Sequence, residues 1–319
     1  MNRVIMIKKI ADKITSLLVV WVVSAVALGL VYPRAFIMLA PFKDYLFAVT
    51  MLGIGAVLRM DDFEPVFKSP RLVALGTLAQ FAIMPALGFF IAKTLRLAPE
   101  LALGVILTGA VPGAMASNVI AYLSNGDVAY SVALTSCSTF LAPVLTPLMT
   151  YIFAHSIIPV KFLPMFLSII KMVILPLIAG MYLRHLMKTK IEKFIPLFPS
   201  VSAIFIAFIC GLVAALNREA LLSFSSEIGG GMIFLAVFLH NGLGLALGYL
   251  AGIIYGFGEK RKRTLAIEVG MQNAGLGAVL ALNHFGKLSA LPNALFATWC
   301  IITASVLAGV YWRRRPPAD

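Results

Sequence analysis

The feature that most constrains this chain is a series of long stretches almost without charge. One of them, TLAIEVGMQNAGLGAVLAL at residues 264–282, holds a single ionisable group, Glu268. Helical runs of about 20 apolar residues match the hydrocarbon core of a bilayer. Such runs are read at about residues 14–31, 45–58, 71–92, 100–123, 128–154, 162–183, 197–216, 230–256, 264–283 and 290–312. The second is short, so its helix is expected to begin nearer Leu39 and pass through Pro41. With 61% hydrophobic and 12% charged residues, the chain has too little charge to cover a soluble surface. The expected fold class is an all-α polytopic membrane protein with ten transmembrane helices. The basic start NRVIMIKK and the AVA at 25–27 resemble a secretory signal, but the apolar run continues to Val31, so the first span is expected to be retained.

Lysine and arginine placement predicts the orientation. With ten spans, the termini and the even-numbered loops share one side. That side carries 18 Lys and Arg, clustered at 3–13, 59–71, 184–193, 260–263 and 313–315, against seven on the other; Lys171 falls inside the sixth span. Both termini are therefore expected to be cytoplasmic, in the cell (inner) membrane. The net charge of +13 is this topology signal and not a nucleic-acid surface. Cys137, Cys210 and Cys300 are far apart within apolar runs and match neither a disulfide framework nor a zinc site. No obligate protein partner is indicated; membrane lipid surrounds the chain.

Five is odd, so two groups of five spans have opposite orientation, the arrangement of an inverted repeat. The fourth span, GAVPGAMASNVIAYL, carries Pro112 and Gly113, then Ser117 and Asn118. The ninth, EVGMQNAGLG, carries Glu268, Gly270, Gln272, Asn273 and Gly275. Asn118 and Asn273 are 155 positions apart, close to half of the 319 residues. Matched helix-breaking residues with matched amides predict two interrupted helices. Backbone that leaves the helix in a bilayer must be satisfied by protein or line a wet cavity, and paired broken helices suit an ion site near the midplane. A carboxylate at the centre of a span costs roughly 2.5–3.5 kcal/mol on insertion scales; a cation on Glu268 would offset that cost.

The segments ASNVIAYLSNGDVAYSVALTS, FLHNGLGLALGYLAG and RTLAIEVGMQNAGLGA resemble the bile acid:sodium symporter family, with similarity running in order from LRMDDF at 58–63 to ALFATW near 299. The resemblance implies a panel domain of helices 1–2 (14–60) and 6–7 (161–217). It also implies a core domain of helices 3–5 (71–154) and 8–10 (229–313), in which broken helices 4 and 9 cross. It further implies two sodium ions. The first would be held by Ser117, Asn118, Ser131, Thr135 and Glu268, and the second by Gln80, Glu268, Gln272 and the carbonyls of Val269 and Met271. These are oxygen donors suited to a hard cation, and Ser131 and Thr135, four apart, share a helix face. Substrate is expected at Met115, Asn118 and Asn273. Relatives tend to carry Thr where Met115 stands, and often a His-Asn pair where this chain has Cys300 and Ile301.

The expected function is sodium-coupled symport of a small organic anion by alternating access, with pantoate, pantothenate or 2-keto acids ahead of bile-acid-like steroids. Alternatives are a proton-coupled transporter or an exporter of the same superfamily, and more remotely an intramembrane enzyme using Glu268 or His240. The enzyme reading lacks a nucleophile–base pair, so no enzymatic activity is expected. Gly244, Gly248, Gly252 and Gly256 recur every four residues as a close-packing face. His240 and Asn241 read as packed hydrogen-bonding residues, and EKRKR at 259–263 as a cytoplasmic anchor.

Overall fold

The computed structural model describes residues 17–223 and 231–312. The basic clusters at 3–13 and 313–315, and the first residues of the first and eighth expected spans, lie outside the described residues. The chain is all-helical. It comprises α1 (Leu18–Val31), α2 (Pro33–Val57, with a 3-10 turn at Ala40–Phe42), α3 (Glu64–Lys68), α4 (Pro70–Thr94), α5 (Pro99–Ala110), α6 (Ser117–Leu123) and α7 (Val128–Ala154). These are followed by α8 (Phe162–Met187, with a π-helical turn at Ile170–Ile174), α9 (Phe198–Leu216), α10 (Arg218–Leu222), α11 (Met232–Ile254), α12 (Glu259–Gly270), α13 (Ala274–His284) and α14 (Lys287–Val306). A π-helical segment, Leu307–Trp312, continues α14.

Among the described residues, seven helices are long and apolar enough to cross a bilayer: α2, α4, α7, α8, α9, α11 and α14. This is a polytopic membrane protein. α1, α5 and α13 are apolar but shorter. The second expected span needs correction, because its helix starts at Pro33 and not near residue 45 or Leu39. Pro33 occupies a first-turn position, where its missing N–H costs nothing, and the 3-10 turn absorbs Pro41. The last span begins at Lys287, three residues early.

The chain divides into two compact units. The first comprises the described residues up to Arg59 with Leu167–Glu219; the second comprises Met60–Phe166 with Ala220 onward. In the first unit, α1 pairs with α9 and α2 with α8, through glycines that let backbones touch. A Cβ on Gly29 would strike the Gly211 carbonyl; one on Gly55 would strike the Leu177 carbonyl, and one on Gly180 the Leu52 carbonyl. Two arginines close the helix ends. Arg184 Nη1 donates to the Ala56 and Val57 carbonyls at 2.9 and 2.8 Å, and Arg218 Nε donates to the Leu30 carbonyl at 2.7 Å. Both meet the unpaired carbonyls and negative dipole end of a helix C-terminus.

In the second unit, α11 lies along α12. Gly248 and Gly252 face Ala266 and Lys262 of α12, and Gly244 faces Met84 of α4. Gly256 does not belong to this packing face: it lies beyond the end of α11 in a left-handed turn, φ +68°. Two passes here are interrupted. α5 ends at Ala110 because Val111, which precedes Pro112, is extended (φ −75°, ψ 159°), as pre-proline sterics favour; helix resumes at Ser117. α12 ends at Gly270 with Met271 extended (φ −113°, ψ 115°), and helix resumes at Ala274.

Gly180→Val forces a branched side chain into the Leu52 carbonyl. We expect a loss of about 1–3 kcal/mol or more, measured as a lowered thermal midpoint in detergent. Gly309→Ala, at a position with no neighbour within 4 Å, is expected to unfold at the parental temperature.

Candidate ion-binding site

The two interruptions pair with each other. Gly113 and Gln272 form an antiparallel bridge. Ala114 N–H donates to the Met271 carbonyl at 3.1 Å, and Asn273 N–H donates to the Pro112 carbonyl at 2.8 Å. The peptide groups freed by each break thus find partners in the other, which is what a low-dielectric setting demands. Close approach also needs Gly113: a Cβ there would sit 3.1 Å from Glu268 Oε2.

This pairing brings Glu268, two residues before the end of α12, against α6 and α7. Its carboxylate belongs to a residue only 1% exposed. Ser117 Oγ, in the first turn of α6, donates to Oε1 at 2.6 Å; Thr135 Oγ1 on α7 donates to Oε2 at 2.9 Å; Ser131 Oγ also lies against Oε1. Asn118 Oδ1 closes the ring, 2.8 Å from Ser131 Oγ and 3.4 Å from Thr135 Oγ1. Three hydroxyl protons cannot serve all these oxygens. Ser131 Oγ faces both Glu268 and Asn118, and Thr135 Oγ1 faces Glu268, Asn118, Ser117 at 3.3 Å and the Ser131 carbonyl at 3.0 Å. Some of these close pairs are lone pair against lone pair. No Lys or Arg pairs with Glu268 among the described residues.

A second group adjoins the first. Gln80 on α4 satisfies both ends of its amide when its nitrogen faces the Glu268 main-chain carbonyl (2.8 Å) and its oxygen faces Gly113 N–H (3.0 Å) and Gln272 Nε2 (3.2 Å). Gln272 Nε2 also donates to the Val269 carbonyl at 2.8 Å. The residues read from the sequence for a second ion are therefore brought together, but their carbonyls are engaged: Val269 by Gln272, and Met271 by Ala114. Met115, Asn118 and Asn273 are half-buried at the paired breaks. Asn273 also caps α13, its Oδ1 accepting from Leu276 N–H at 3.2 Å.

Several supporting residues were not read as site residues. Asn241 Nδ2 on α11 donates to the Gly270 carbonyl at 2.8 Å, and Asn241 Oδ1 accepts from Thr303 Oγ1 of α14 at 2.5 Å. The last carbonyl of α12 is thereby pinned between two helices. At the opposite end of α12, Asp127 N–H donates to Thr264 Oγ1 at 2.8 Å, and Arg261 Nε donates to Asp127 Oδ2 at 3.2 Å. Asp127 itself caps α7 through Tyr130 N–H at 3.0 Å. The available signals were an amide beside a histidine deep in an apolar span, and an acid just before a helix. His240 is packed, its Nε2 2.9 Å from the Met84 carbonyl and its ring edge-on to Phe296.

Residues 45–224 match the Sodium Bile acid symporter family. The chain belongs to this family. Among its relatives is the uncharacterized sodium-dependent transporter YocS of Bacillus subtilis (strain 168), 40% identical over 296 residues, 93% of this chain and 90% of the relative. The probable sodium/metabolite cotransporter BASS1, chloroplastic, of Arabidopsis thaliana is 37% identical over 311 residues, 97% of this chain and 76% of the relative. BASS2, chloroplastic, of Oryza sativa subsp. japonica, likewise named a probable sodium/metabolite cotransporter, is 36% identical over 313 residues, covering 97% and 73%. Membership in this family makes the chain a transporter and not an enzyme.

Asn241→Leu removes the donor to a buried carbonyl and the acceptor of Thr303. A loss of about 1–3 kcal/mol is expected, read as a fall in thermal midpoint in detergent.

Proposed function

We propose that this family member is a sodium-coupled symporter of a small organic anion. The observation that carries the reading is the Glu268 cradle, a buried carboxylate ringed by more oxygens than protons. A hard cation of sodium's kind prefers oxygen ligands, and placed among Ser117, Asn118, Ser131, Thr135 and Glu268 it would turn repelling lone pairs into ligands. It would also offset the expense of a carboxylate in the membrane interior. The sodium dependence in the relatives' names points the same way. A second ion on Gln80, Glu268, Gln272 and the Val269 and Met271 carbonyls requires both amides to turn their oxygens inward, exchanging protein hydrogen bonds for ion contacts.

The proposed fold has ten passes as two inverted five-helix repeats, with broken helices 4 (α5 and α6) and 9 (α12 and α13) crossing. In support, the α1–α9 and α2–α8 pairs have the partner exchange such a repeat produces. The first compact unit is taken as the panel and the second as the core. The lysine and arginine distribution supports cytoplasmic termini, in the inner membrane of a bacterial-type cell. Substrate is assigned to Met115, Asn118 and Asn273. The anion would profit there from the α13 N-terminus, and the substrates proposed are short carboxylates such as pantoate, pantothenate or 2-keto acids. Two sodium ions with one monovalent anion carry one net charge inward, worth about 2.3 kcal/mol per 100 mV.

Sodium at tenfold its Kd is expected to stabilise the purified protein by about 1.4 kcal/mol relative to potassium at equal ionic strength. Glu268→Ala is expected to lose that difference while remaining folded. In proteoliposomes, an inward sodium gradient should drive accumulation of intact labelled 2-keto acid or pantoate. Accumulation driven by a pH gradient in potassium alone, with no sodium-specific stabilisation, would favour the proton-coupled reading.

A further inference from the structure

Away from the helix breaks, the second unit contains a groove of about 620 Å3 between α11, the start of α12 and the π-helical segment Leu307–Trp312. Gly242, Leu245, Ala246 and Leu307 make its apolar length; Tyr249, Glu259, Arg263 and Trp312 lie at its other end. That end is firmly built. Arg263, only 4% exposed, donates from Nε to Glu259 Oε1 at 2.9 Å, and from Nη1 to the Ser124 and Trp312 carbonyls at 3.1 and 3.2 Å. Tyr249 Oη donates to Glu259 Oε2 at 2.8 Å. Trp312 stacks on Tyr249, ring centres 6.5 Å apart, and lies under the Arg263 guanidinium at 5.9 Å.

The charge at this end is lopsided. Glu259 is already satisfied by Arg263 and Tyr249, whereas its neighbours in sequence are Lys260, Arg261 and Lys262. Lys260 is exposed and makes no ion pair among the described residues; Lys262 reaches Glu259 only at 3.9 Å. An apolar slot whose Trp–Tyr end is followed, next to its lining residue Glu259, by Lys260, Arg261 and Lys262 has the order of a lipid, with acyl chain, interface and headgroup in turn.

We propose that this groove is a binding site for an anionic phospholipid. One acyl chain lies along Leu245, Ala246 and Leu307, and the acidic phosphodiester lies at Lys260 and Lys262. Placing the mouth in the cytoplasmic leaflet rests on the topology proposed above; binding itself does not. Arg263 ties the groove to the C-terminal end of α6, through Ser124, and to α12.

The test uses the full-length protein in mixed micelles containing equimolar phosphatidylglycerol and phosphatidylcholine, with retained lipid counted by native mass spectrometry. Wild type is expected to retain phosphatidylglycerol about tenfold or more over phosphatidylcholine, since each nearby cation contributes roughly fivefold. Lys260→Ala with Lys262→Ala is expected to bring the ratio to within about twofold. Gly242→Trp fills the slot where no atom stands within 4 Å of the glycine's missing Cβ, and is expected to abolish retention. Equal retention of both lipids by wild type, absence of retained lipid in the full chain, or undiminished retention by Gly242→Trp each overturns the proposal. The wild-type comparison depends on no variant's folding. Because lipid counting needs no sodium, its failure is separate from failure of sodium coupling.

Discussion

The pairing of Pro112–Ala114 with Met271–Asn273 is the constraint on which the rest of the second unit depends. A helix interrupted inside a bilayer leaves donors and acceptors with no water to turn to. Here each break supplies the partners for the other, so neither is tolerable alone. The pairing sets the separation of the half-helices, and that separation places Glu268 within reach of hydroxyls from α6 and α7. It also imposes small residues where the strands of chain touch, Gly113 above all.

The ends of α12 are held by different means. Near the break, Asn241 and Thr303 secure the Gly270 carbonyl. At the far end, Asp127, Thr264, Arg261 and Arg263 fix α12 to the start of α7 and the end of α6. The carboxylate lies between these anchors on a short helix with little freedom. Around it, the groups left free to rotate are side-chain hydroxyls and amides, on a backbone fixed at both ends.

Much of this was legible in the sequence. Apolar runs gave the membrane class, and Pro112–Gly113 and the QNAG segment located both interruptions. The oxygen-bearing residues near Glu268 were the ones the structure gathers there. What escaped detection depends on distance between elements: Asn241 meets Gly270 and Thr303 across two helix interfaces, and nothing in its local context names those partners. The passage of the second helix through Pro41 was legible, but its start was placed too late, because the apolar run alone does not show that Pro33 occupies a first-turn position. The glycine repeat on α11 was legible as a packing face through Gly252 but not at Gly256, where the same residue serves a turn instead.

The paired breaks also bear on how the chain is made. Residues 111–116 leave the ribosome about 155 positions before their partners at 271–273. At 5–20 residues per second this is on the order of 10–30 s. Throughout that interval the peptide groups of Pro112 and Ala114 lack the partners that Asn273 and Met271 later supply. The nascent protein therefore needs shelter from lipid, at the insertion machinery or in a hydrated pocket of its own, until the second half closes the bridge. A truncated first half has no way to complete its own interior.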